Sequence, residues 1–362
     1  VPELFECQRD WIDPVNNMLA ADTQGSIGYL TRGRLPLRSS TAHHQVPAAG
    51  WTGEHEWIGF VPFEAMPRAI DPPEGFVVSA NQVVSDRTSP FIAYSFNDPF
   101  RAERIVELLA RAPRLSPQEI ARIQGDVTSW PAQRWAACLR QAGPFEGPAE
   151  RARERLSAWD GELAPGSANA LLYACFRRAL AGELFRPRVG DPVWGWLTTT
   201  GIPAAATLIR RWLANAIWPS LRAGRLAPAL EGPVRAALAF AWGEAAALAG
   251  PDPSAWRWDA YHRTDARHPL APRHPEAAWL NPAAVSIGGD SDTVQVASYG
   301  WQVGTRFDIG NVSVYRQVVD LAALDEASSV IPGGASGDPS SPHASDQLPL
   351  WSSDRRIPMS GA

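Results

Sequence analysis

Apolar positions change period twice along the chain. In the first hundred residues they form short runs broken by turn signals: MLAADTQGSIGYLTRGRLPLR predicts two short strands punctuated by Gln24-Gly25 and Arg32-Gly33, and GFVVSANQVV predicts a third, buried strand. From about Asp98 the spacing becomes i, i+3, i+4, i+7. Helices are predicted for RAERIVELLARA, PQEIARIQGDV, ERARERLSAW, ANALLYACFRRALAGELF, AATLIRRWLANAIW and VRAALAFAWGEAAALAG. Ser116, Pro117 and Glu119 supply a capping residue, a first-turn proline and the acidic half of a capping box. After about Asn281 the strand pattern returns in VSIGGDSDTVQVASYG, WQVGTRFDIGN and VSVYRQVVDL, and from Val330 the chain is Gly/Pro/Ser-rich loop. The order β, α, β predicts an α+β protein in which the terminal segments share a sheet system. The expected parts are a β-rich segment over 1–97, a helical segment over 98–250, returning strands over 251–329 and a loop region over 330–362.

Composition narrows the chemistry. The chain has 362 residues, 45% of them hydrophobic, enough to bury a sizeable core. Its 33 basic residues are all Arg and are outnumbered by 38 acidic ones, for a net charge of −5. A mildly acidic chain without a basic run carries no nucleic-acid footprint. Cys7, Cys138 and Cys175 lack metal-binding spacing; the last two fall in apolar helical contexts and read as buried small side chains. The most apolar stretch, Val234–Ala249, contains Arg235 and Glu244 and is short of a membrane span, so it is expected as a core helix.

Several residue groups could carry chemistry. Ser336, His343 and Asp346 have the residue types of a nucleophilic triad, but they crowd into one loop without a nucleophile elbow, which is more simply a run of turns. Asp290 with Asp292, and His268 with His274, offer metal-ligand types without the spacing of a recognised site. Asn81 is more informative, because a carboxamide closing an apolar extended run needs partners and can donate two N–H groups into a cleft. Arg101 sits behind Asp98 and Pro99, which read as a helix start; a cation in a first turn opposes the helix dipole at about 0.3 to 1 kcal/mol. Its plainer use would be an ion pair with Asp98 or Glu103.

These residues fall in an ordered series of blocks that resembles the penicillin acylase (penicillin amidase) family of N-terminal-nucleophile hydrolases. The blocks are PVNNMLAADTQGSIGYLTRGRLPLR (Pro14 to Arg38), WIGFVPFEAMPRAIDPPEGFVVSANQ (Trp57 to Gln82) and FRAERIVELL (Phe100 to Leu109), followed by WRWDAYHRTDARHPL (Trp256 to Leu270), GGDSDTVQVASY (Gly288 to Tyr299) and GGASGDPSSPHASDQLPLW (Gly333 to Trp351). The resemblance implies part of a four-layer αββα sandwich with a helical insertion, and cleavage of a small-molecule acyl-amine amide of the penicillin or N-acyl homoserine lactone type. In that chemistry an amino-terminal serine of the larger (beta) subunit forms an acyl-enzyme, with its own α-amine as base. By motif position, Asn81 is the side-chain donor of the oxyanion hole and Arg101 the arginine that positions the nucleophile. No cofactor is implied; a structural calcium ion is frequent in the family, with ligands mainly from other segments.

Residue 1 is Val, and no serine nucleophile motif precedes the first block. The resemblance therefore implies a carboxy-terminal part of the beta subunit, inactive alone, aggregation-prone at unpaired edges, and paired with a smaller (alpha) subunit from the same precursor, made by autoproteolysis in the periplasm or outside the cell. Asp71, Gln82 and Asp259 depart from residues usual in the family and bear on substrate choice. The competing expectation is a homologue that keeps the fold as a binding or structural module.

Overall fold

A computed structural model describes residues 1–39, 47–84, 90–93, 96–264 and 266–359. The chain divides into two compact units, Val1–Ala102 and Glu103–Ala362, and mixes helices and sheets as an α+β protein.

The first unit opens with a short helix, α1 (Pro2–Glu6), and then holds strands β1 (Asn16–Ala21), β2 (Ile27–Arg32), β3 (Pro36–Arg38), β4 (Trp57–Phe60) and β5 (Arg68–Ile70). β1, β2 and β5 form an antiparallel sheet with β2 central, and β3 pairs with β4. The β1–β2 turn forms where Gln24-Gly25 predicted it. Asp22 Oδ1 accepts the amide protons of Gln24 and Ser26, and Gly25 takes φ 94°, a conformation that favours glycine. Asp71, at φ 46°, accepts from the Ile27 amide through its own carboxylate, so its polar side chain offsets the left-handed backbone.

One expected strand is absent: GFVVSANQVV forms no ladder among the described residues. Residues 76–79 are half-buried, and at Asn81 the backbone turns to φ 68°, which ends any extended run.

The second unit is built on helices α2 (Phe100–Leu109, crossing in from the first), α3 (Pro117–Gln124), α4 (Trp130–Gln141), α5 (Gly147–Ser157), α6 (Ala168–Val189), α7 (Asp191–Thr199), α8 (Pro203–Ala223) and α9 (Pro228–Ala249). The predicted helices are all present. α4 was expected only as a helical context around Cys138, without bounds, because it carries Trp and Arg among its apolar positions; α7, a single short Trp-rich stretch, was not predicted. The capping box of α3 forms as expected, with Ser116 Oγ accepting from the Glu119 amide and Glu119 accepting from that of Ser116. α6 is apolar nearly all round and is buried on nearly all sides, which makes it the axis of the unit. α9 packs along it and along α5, and its buried residues include the small Ala237, Ala241 and Ala245, which suit close approach of helix backbones.

Strands β6 (Ala297–Tyr299), β7 (Ile309–Val312), β8 (Arg316–Val318), β9 (Ser328–Val330) and β10 (Ile357–Pro358) complete the unit; β6 pairs with β7, and β9 lies between β8 and β10. The region after Val330 is mostly irregular, as its composition predicts, but it also contains helix α10 (Leu348–Ser352) and β10. Trp351 of α10 is fully buried with Ile287, Ala297, Ile309, Val330 and Leu348, and its Nε1 donates to Ser313 O at 2.9 Å. Burying this much apolar surface and satisfying the indole N–H anchors a segment that composition alone marks as loop.

Candidate active site

The Asn81 loop is held by polar side chains. Gln82 folds back so that its Oε1 accepts from the Ala80 amide at 2.6 Å and its Nε2 donates to Val78 O at 2.9 Å. The Asn97 amide donates to Asn81 O at 2.9 Å. Arg101, in the first turn of α2, reaches back to this loop: its Nη2 donates to Ala80 O at 2.8 Å and to Asn81 Oδ1 at 2.7 Å. The structure thus brings together the two residues that the sequence singled out. The expected cost of a cation at a helix start is offset by two charge-assisted hydrogen bonds.

The pairing fixes the Asn81 amide. A guanidinium only donates, so the carboxamide must turn its oxygen to Arg101 and its NH2 group the other way. Asn81 is exposed, and its Nδ2 has no protein partner among the described residues. The result is a donor aimed outward from a loop whose backbone is pinned on both sides. Such an arrangement can stabilise a negative oxygen.

Other candidates resolve differently. His343 Nδ1 contacts Asp346 Oδ2 at 2.8 Å, but Ser336 Oγ accepts from the Asp338 amide at 3.1 Å and has no bond to the imidazole. Among the described residues, Ser336 and His343 are tied through the backbone, Ser336 N to His343 O, so the loop is a set of local turns and not a triad. His268 accepts from the Leu270 amide and His274 pairs with Glu276 at the surface, separate from each other. Among the described residues, no group of three or more His, Cys, Asp or Glu is placed to hold a metal ion.

Asp290 and Asp292 are buried and clamp Arg177 of α6, with Asp290 Oδ2 to Nη1 and Asp292 Oδ2 to Nη2 both at 2.6 Å. Burial pushes the Asp290 carboxyl up to about 6 against the pull of Arg177. Burial alone would weaken the charge on Arg177, but Asp292 and its neighbours outweigh it and hold the guanidinium charged. The adjacent Arg178 is capped by three carbonyls, of Gly300, Thr305 and Arg306, and lies 3.6 Å over the Phe307 ring. His262, stacked on Trp258, sets its ring nitrogens against Ile287 O and Ala297 O; burial prevails over these two acceptors and lowers its pKa to about 4. Cys138 and Cys175 are buried in helices as expected.

The penicillin amidase family model matches residues 1–362. The chain belongs to the penicillin amidase family. It is 36% identical to a penicillin acylase 2 proenzyme from Pseudomonas sp. strain SE83 over 99% of its length and 46% of that protein. It is 30% identical to the acyl-homoserine lactone acylase QuiP of Pseudomonas syringae pv. tomato, over 97% of the chain and 44% of the relative. It therefore spans less than half the length of either relative. A thermostable penicillin G acylase from Alcaligenes faecalis superposes with a TM-score of 0.65 at 20% identity, over 100% of this chain and 67% of that one, a likeness of fold.

Within this member of the penicillin amidase family, sequence reasoning missed two features. The Gln82 clamp had a signal, since a long carboxamide directly follows Asn81 at the end of an apolar run. The Arg177 cluster had one too: two adjacent arginines inside an otherwise apolar helix demand buried partners. Among the described residues no helix is long and apolar enough to cross a membrane.

Proposed function

We propose that this chain supplies the oxyanion-binding part of an amidohydrolase that cleaves the bond between an acyl group and an amine, of the penicillin or N-acyl homoserine lactone type. A serine nucleophile from elsewhere in the whole protein attacks the amide carbonyl, and the tetrahedral intermediate places negative charge on the former carbonyl oxygen. Asn81 Nδ2 donates to that oxygen, and Arg101 holds the carboxamide in register and helps position the nucleophile. Collapse expels the amine and leaves an acyl-enzyme, which water hydrolyses. No cofactor takes part. The whole protein then comprises an alpha subunit and a beta subunit cut from one precursor, arranged as an αββα sandwich and working in the periplasm or outside the cell.

One observation carries the reading. Arg101 takes the oxygen end of Asn81 at 2.7 Å, leaving an amide donor turned outward on a strained, braced loop. Strain of this kind persists where the surroundings over-determine it and clusters at reactive sites. The test is hydrolysis of penicillins and N-acyl homoserine lactones by the whole protein and by its Asn81→Ala variant. The variant is expected to lose about a hundred- to a thousandfold in kcat, the usual loss for one oxyanion donor. An unchanged kcat, or no amide cleavage by the unaltered protein, would overturn the reading.

A further inference from the structure

We propose that Gln82 is a positioning residue for Asn81, its side chain standing in for a missing neighbouring strand. The proposal rests on the reading of Asn81 as oxyanion donor. In a parallel ladder, one residue accepts from the amide after the residue it faces and donates to the carbonyl before it. Gln82 makes that pair of bonds to the two groups flanking Ser79, accepting from Ala80 N at 2.6 Å and donating to Val78 O at 2.9 Å. One carboxamide thereby does locally what a strand would do, on a segment that forms no ladder among the described residues.

The geometry explains why this matters at the next residue. Asn81 sits at φ 68°, which an L-residue holds only when its neighbours are fixed. Ala80 precedes it and is tied at both ends, its amide by Gln82 and its carbonyl by Arg101 at 2.8 Å. With the Gln82 bonds gone, Ala80 keeps only its carbonyl tie, and the peptide leading into Asn81 is free to rotate. The Nδ2 donor then swings with it.

The experiment is a double-mutant cycle in the whole protein, reading kcat and KM for amide hydrolysis in Gln82→Met, Asn81→Ala and the double variant. Gln82→Met removes both hydrogen bonds at similar length. It is expected to lower kcat by about ten- to a hundredfold with KM within about twofold, as for a donor displaced by around an ångström. In the Asn81→Ala background the same change is expected to lower kcat by less than about twofold, because its effect passes through Asn81. Gln82→Glu, which keeps the acceptor but sets a carboxylate against Val78 O, is expected to fall between, and it decides the matter if the Met variant does not fold. Unchanged kcat in both Gln82 variants, or equal losses with and without Asn81, would overturn the proposal. A large loss in Asn81→Ala beside intact Gln82 variants sinks this inference alone; no loss in Asn81→Ala sinks the oxyanion reading together with it.

Discussion

The Asn81 loop and the Arg177 cluster use similar polar groups to opposite ends. Around Arg177, two carboxylates and a guanidinium are sealed between α6 and the turn that carries Asp290, with each carboxylate oxygen held by the guanidinium, an amide or the Ser291 hydroxyl. At Asn81, which is exposed, the half-buried Arg101 guanidinium and Gln82 carboxamide are bonded so that the Asn81 NH2 group is left over. The first arrangement fixes a core and has nothing to offer a substrate. The second has little packing but an unsatisfied direction, which is what a reacting group needs. Residue type alone does not separate a structural cluster from a chemical one; the direction of the leftover valence does.

The sharpest way to break the contrast is to unpair the buried side. Asp290→Ala leaves Arg177 with one carboxylate in a dry site and is expected to destabilise the second unit by about 3 kcal/mol or more. Chemical denaturation measures this, and a loss under about 1 kcal/mol would show that the cluster does not hold the core.

A second test uses acid. The His262 pKa falls to about 4 in the folded state from 6.5, so its contribution is present above pH 6.5 and is lost as pH falls towards 4. The size is about 3 kcal/mol, from roughly 1.4 kcal/mol per pK unit. Asp290 has the opposite sign: raised to about 6 from 3.8, it contributes below 3.8 and loses that contribution as pH rises through 6. In His262→Gln the acid-side loss should shrink, so the difference between the two stability profiles should narrow from pH 6.5 to 4. Parallel profiles would mean that His262 does not titrate in this window.

Much of the fold was legible because the cues were local. The 3.6-residue periodicity found the long helices, and Ser116 with Glu119 marked where α3 starts. GFVVSANQVV misled because β-propensity reports apolar, branched residues and is silent about partners; the ladder bonds are supplied by a side chain instead. The tail after Val330 is mostly irregular as its composition predicts and departs from it at α10, where one buried tryptophan outweighs the turn-forming residues around it. At the candidate site, family spacing singled out Asn81 and Arg101, but their mutual hydrogen bond and the outward-facing amide depend on a left-handed backbone that no sequence pattern displays. Asp290 and Asp292 offered metal-ligand types without a recognised spacing, and their use stayed hidden because their partner, Arg177, lies far away in the chain and meets them only in the fold.

The central claim is that Asn81 acts through its N–H and that Arg101 holds its oxygen. Asn81→Asp separates the two, since a carboxylate keeps and strengthens the Arg101 contact while removing the donor. Measured in the whole protein, its kcat should fall by about a hundredfold or more with the melting temperature held or raised. An Asn81→Asp protein that hydrolyses its amide substrate at the original rate would contradict the account.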